Sequence, residues 1–250
     1  MDENLRESFS MKKPRFFGSN KINMIIYIFY QSIPVIFSSV SGMVILIIST
    51  YFAGHLEDVP FLASLGLSSV WLNFVGFGPL ISFNLGFFAL ASQVNGTGNQ
   101  NNLKILFQRC IIFDLILFII STILLLFSPY ILTLTGADEK IVEKGIGFLY
   151  MNIPALFIEI FIDVFKNILN AQKIFFVYPT IAFINIGIHL ILCSVFMNLN
   201  YGLLGLAASR VIINIIILFM LLIYMKWKKF NLFLFESFEW EATRNLMAYS

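Results

Sequence analysis

Apolar residues fall in six long runs, at 24–53, 61–92, 105–130, 145–170, 175–198 and 202–225, and most charged residues lie in the stretches between them. The runs lack the polar face that a water-facing helix shows at a 3.6-residue period. Each is instead predominantly apolar and at least as long as the ~20 residues needed to cross a bilayer. Hydrocarbon offers no partners to backbone N–H and C=O groups, so each run is predicted to be an α-helix that satisfies its own. The longer runs imply tilted helices or ends that emerge from the membrane. Pro34, Pro79 and Pro154 fall within or near helix ends, where they can kink them.

Composition agrees. The chain is 59% hydrophobic and only 12% charged, about half the charge of a soluble domain. Its mean hydropathy is +0.87. The expected fold is an all-α polytopic membrane protein built as a six-transmembrane-helix bundle. A cytoplasmic tail is expected at 1–23 and the bundle at 24–225. A cytoplasmic linker and the start of a possible seventh helix follow at 226–250. The first apolar run is too long for the core of a cleaved signal peptide.

Basic residues sort by connection. Arg6, Lys12, Lys13, Arg15, Lys21, Lys104, Arg109, Lys166, Lys173, Lys226, Lys228 and Lys229 belong to one side of this topology. Only Lys140 and Lys144 belong to the other. The positive-inside rule then places the N-terminus in the cytoplasm. Glu57 and Asp58 lie on the first outer turn. A net charge of +2 gives no reason to expect nucleic acid. Cys110 and Cys193 sit inside apolar runs and read as packing residues, not a disulfide or metal pair. No metal-ligand spacing, phosphate loop or paired nucleophile is present, so an enzyme is not expected and no cofactor is implied.

Ionisable groups inside spans are costly and become functional candidates. Glu159 and Asp163 share a face of the fourth span, which Lys166, Asn167 and Asn170 continue. A carboxyl at that depth, exchanging a proton with each side in turn, would act as a coupling group. The plainer alternative is an Asp163–Lys166 pair with Glu159 bonded to a neighbouring helix. Asp114 in the third span either faces a cavity or makes an interhelical bond. His189, with Asn185 one turn earlier, either relays protons or packs as a neutral ring. Arg210 either snorkels outward or meets a carboxylate. Trp71 and Phe74 are candidates for a cavity wall that takes flat cations, although lipid-facing packing competes for every Phe.

Several motifs occur in order along the chain: "STYFAGHLEDVPFLASLGLSS" from Ser49, "LASQVNGTGN" from Leu90, "LFQRC" from Leu106, "LTGADEKIVEKGIGFL" from Leu134, "ILNAQK" from Ile168 and "NYGLLGLAAS" from Asn200. Over residues 31–225 this series resembles the multidrug and toxic compound extrusion (MATE) transporters, and Ser49, His189 and Cys193 resemble its eukaryotic branch. The resemblance implies two six-helix lobes around a central cavity, of which this chain matches the N-terminal one. That would make it a truncated or half-sized transporter, and its partners would include a second six-helix half and the lipid bilayer. The resemblance further implies export of organic cations or amphipathic drugs in exchange for H+ or Na+ by alternating access. Ser49 stands where many bacterial relatives carry a coupling aspartate, and Phe88 where eukaryotic ones often carry an acid. Coupling would then fall to Glu159, Asp163, Asp114 or His189, with Ser49 and Asn185 on the substrate cavity. A lipid-linked-sugar flippase of the same superfamily and a non-transporting half-transporter or scaffold are the alternatives.

Overall fold

The computed structural model describes residues 21–55, 59–96 and 100–228. The tail before Lys21, the turn with Glu57 and Asp58, Gly98, and the stretch from 229 onward lie outside the described residues. Every regular element among the described residues is a helix, with no strand.

The first span is α1 (Lys21–Gly54), 34 residues with Pro34 inside it. At ~1.5 Å per residue it exceeds a ~30 Å hydrocarbon core. The second span is composite: α2 (Val59–Leu72), a π-helical turn (Asn73–Phe77) and α3 (Gly78–Gly96). Two residues account for that wide turn. A Cβ on residue 78 would lie 2.5 Å from the Asn73 carbonyl oxygen, so only glycine fits there. Pro79 has no N–H to give the Val75 carbonyl four residues back. Ser121 of the third span donates to that carbonyl instead, at 2.7 Å.

The third span is α4 (Gln100–Leu126), which the sequence extended to residue 130. The chain breaks at Phe127, and a short helix, α5 (Ser128–Leu134), follows. The Ser128 hydroxyl closes the end of α4 by donating to the Leu125 carbonyl at 2.6 Å. Gly136, at φ +88°, turns the chain. Asp138 then caps α6 (Glu139–Met151) by accepting from the Lys140 N–H at 2.9 Å. The fourth span joins α6 to α7 (Ile153–Ala171) with a 43° bend beside Pro154. The fifth and sixth spans are α8 (Val177–Asn198) and α9 (Gly202–Trp227).

The fourth span is the hub. Its α6 half packs on α2 and α9, and its α7 half on α3, α4 and α9. The fifth span packs on the first and sixth. Small residues permit the closest approaches. At Gly145, Ser64 donates to the Ile141 carbonyl at 2.8 Å and Ser68 to the Gly145 carbonyl at 3.3 Å.

The buried side chains form two apolar layers. One contains Leu65, Leu72, Leu149, Leu156, Ile160 and Leu206. The other contains Phe87, Phe107, Ile162, Phe165, Ile213 and Leu221. Along every span from the second to the sixth, the boundary between the layers falls near the middle, and buried Asn84, Asp114, Asp163, Asn185, His189, Ser209 and Asn214 lie near that boundary, while Ser64, Ser68, Ser128 and Asn152 are buried within the first layer.

Candidate functional site: a polar layer at mid-span

The fourth span carries the centre of this layer. Glu159 Oε2 accepts from Asn214 Nδ2 of the sixth span at 2.9 Å, and the same amide nitrogen reaches the Ala155 carbonyl at 3.1 Å. One turn on, buried Asp163 pairs with Lys166, whose ammonium sits 5.2 Å from the centre of the Tyr178 ring. Asn167 then donates to the Asn84 carbonyl at 3.4 Å. Both parts of the plainer alternative are therefore present: the ion pair, and Glu159 bonded to a neighbouring helix.

Asn84 organises the opposite wall. Its Nδ2 approaches both oxygens of buried Asp114 at 3.2 Å and the Leu80 carbonyl at 3.0 Å. The Cys110 thiol donates towards Asn84 Oδ1 at 3.3 Å and Asp114 Oδ2 at 3.5 Å. Asp114 thus makes an interhelical bond between the second and third spans. Replacing Asn84 by leucine leaves the Asp114 carboxyl without its amide. We expect a loss of about 1–3 kcal/mol, towards the lower end because membrane hydrogen bonds are modest. The reading is a lowered melting temperature in detergent. The double variant Asn84→Leu with Asp114→Leu should recover at least part of it.

The fifth span holds a second group. His189 Nε2 lies 3.1 Å from Ser49 Oγ of the first span and 3.5 Å from Cys193 Sγ, and that sulfur lies 3.4 Å from Ser209 Oγ. Ser49 has one hydroxyl proton and two neighbours, the Ile45 carbonyl at 3.1 Å and the imidazole. The tautomer of His189 decides which of them receives it. Asn185 donates to the Ile181 carbonyl at 2.7 Å, while its buried Oδ1 has no hydrogen-bond partner among the described residues.

Ser49 also lines a cavity of about 100 Å³ between the first, second, fourth and sixth spans, together with Ser69, Asn73 and Arg210. Arg210 neither snorkels outward nor forms an ion pair among the described residues. Its guanidinium lies over the buried Phe77 ring, 4.1 Å from the centroid. Trp71 points elsewhere and donates from Nε1 to Ser128 at 2.8 Å. Phe74 is 75% exposed on the outside of the bundle. Neither of these two nor Asn185 lines this cavity. No three His, Cys, Asp or Glu side chains converge on a metal-sized site among the described residues.

Sequence reasoning passed over Asn84, Asn214 and Ser209, because neutral amides and hydroxyls carry no charge to mark them. A usable signal was spacing, since Asn214 stands one turn beyond Arg210 on the same face.

Comparison with known proteins agrees with this architecture. The MatE family profile matches residues 34–195, well over half of the chain. The chain belongs to the MATE family. It is 27% identical over 221 residues to Protein DETOXIFICATION 37 of Arabidopsis thaliana, covering 88% of this chain and 44% of that protein. It is 27% identical over 225 residues to Multidrug and toxin extrusion protein 2 of Pongo abelii, covering 88% and 37% respectively. The fold matches the crystal structure of the eukaryotic MATE transporter AtDTX14 with a TM-score of 0.78 at 21% identity, over 88% of this chain and 49% of that one. The chain thus spans less than half the length of these MATE relatives. MATE members are multi-pass membrane transporters, not enzymes, and the family couples transport to H+ or Na+.

Proposed function

We propose that this chain is the N-terminal lobe of a MATE-type antiporter, which exports organic solutes in exchange for H+ or Na+ by alternating access. Organic cations and amphipathic drugs are the solutes that the family resemblance implies. The observation that carries the reading is the polar layer. Six membrane helices bring Glu159, Asp163, Asp114 and His189 to mid-depth between two apolar layers, and polar groups there are costly unless used. Of these, Glu159 is the coupling group: it has one hydrogen bond, to a neutral amide on Oε2, whereas Asp163 is paired with Lys166, Asp114 is approached on both oxygens by Asn84, and His189 is held by Ser49. The helix ends bearing Lys21, Lys104, Lys173 and Lys226 face the cytoplasm, as the positive-inside rule requires.

The test is reconstitution into liposomes loaded with a pH-sensitive dye, or a sodium-sensitive one, and challenge with a panel of cationic and anionic amphiphiles. The chain alone is expected to be silent. With a complementary six-helix lobe, an accepted solute is expected to drive ion movement in the opposite direction. No ion movement with any solute, in the presence of both lobes, would count against antiport.

A further inference from the structure

We propose that the cavity lined by Arg210 is an oxyanion site, which takes the carboxylate or phosphate group of a small amphipathic acid. This rests on the transporter reading and names a solute class for it, opposite in charge to the cations that the family resemblance implies.

Three observations converge. First, Arg210 is the one charged residue among those lining the cavity, and no carboxylate lines it. A cation entering there meets a like charge in a poorly screened setting. Second, the guanidinium is oriented but not satisfied. Phe77 supports its face at 4.1 Å, which leaves the N–H edge free for an acceptor. Glu159, one helix away, is hydrogen-bonded to Asn214 and makes no ion pair with Arg210 among the described residues. An arginine with a braced face and a free fork suits bidentate recognition of carboxylate or phosphate. Third, the rest of the wall fits an acid with an apolar body. Ser69 and Asn73 supply polar groups beside Arg210, while Ile45, Leu65, Phe148 and Leu206 supply apolar surface. The volume of about 100 Å³ is smaller than the ~150 Å³ cavity that encloses benzene, so it takes the oxyanion group and part of an apolar body.

The experiment is equilibrium binding by calorimetry on the purified protein in phosphatidylcholine nanodiscs. The probes are benzoate, benzamide and benzylammonium, one ring carrying negative, no and positive charge. Benzoate is expected to bind at least about tenfold more tightly than the other two. Arg210→Met is expected to remove that preference and leave benzamide unchanged. Arg210→Lys, which keeps the charge but loses the fork, should fall between them. The charge order in the unaltered protein stands as a test even if a variant fails to fold. Adding phosphatidylglycerol separates two sources of the same chemistry. Competition with benzoate assigns the site to a lipid phosphate, and its absence assigns the site to free acids. Absence of benzoate binding, preference for benzylammonium, or a benzoate affinity indifferent to Arg210→Met would overturn the proposal. Because the reading is binding, silent liposomes leave it standing, and its failure leaves antiport standing.

Discussion

Glu159→Gln is expected to abolish proton-coupled transport by the two-lobe assembly while leaving the fold intact. The argument is one of near-isosteric replacement. Glu159 Oε2 accepts a single hydrogen bond from Asn214, and a glutamine oxygen can accept the same bond. What the amide cannot do is take up a proton on one side and release it on the other. The neighbouring carboxyls cannot stand in without breaking contacts of their own, because Asp163 would abandon Lys166 and Asp114 would abandon Asn84. Solute flux should therefore lose its dependence on an imposed pH gradient, while the melting temperature stays close to that of the parent. Gradient-driven flux that persists undiminished would remove Glu159 from the coupling role.

The second large effect is on stability. Gly145→Ala places a Cβ 2.2 Å from Ser68 Oγ and 3.3 Å from the Ser64 carbonyl oxygen. The contact joins α2 to the hub of the bundle, and its tightness comes from the missing side chain. Overpacking of this kind costs about 1–3 kcal/mol. The cost has an address: the Ser68 Cβ is 3.6 Å from the new methyl group, an ordinary contact, and the Ser64 carbonyl at 3.3 Å need give only a few tenths of an ångström, so the hydroxyl is the main obstacle. Ser68→Ala should then restore most of the loss when combined with Gly145→Ala. Thermal unfolding of the two single variants and the double variant in one detergent measures the coupling. Equal destabilisation of the single Gly145→Ala and the double variant would show that the hydroxyl is not the obstacle.

The spans were legible in the sequence because lipid makes composition speak for structure. The run at 202–225 became Gly202–Trp227, and the run at 175–198 became Val177–Asn198. Breaks inside apolar runs were not legible. Ser128–Pro129 is a turn signal, but apolar residues on both sides keep the run at 105–130 nearly continuous, which hides α5 within the third span. Pro79 marked a kink but not a π-helical turn, which depends on a serine of another helix. The candidate site was half legible. Charge identified Glu159, Asp163, Asp114 and His189. The partners Asn84 and Asn214, which decide what the carboxyls do, are set by which helices meet, and no charge marks a neutral amide. Arg210 was recognised as a span residue, but its place in a cavity free of lining carboxylates emerged only from the packing.

The wide turn at Asn73–Phe77 bears on how this protein is compared with others. It stores a surplus residue inside a membrane-crossing segment, so α2 and α3 keep separate rotational phases about their common axis. A homologue shorter by one position there need not lose a loop. It can tighten to ordinary pitch, which would swing Ser64 and Ser68 by roughly 100° relative to Asn84. An alignment gap placed in mid-helix would then record a genuine change of facing, where convention would push it out to the nearest turn.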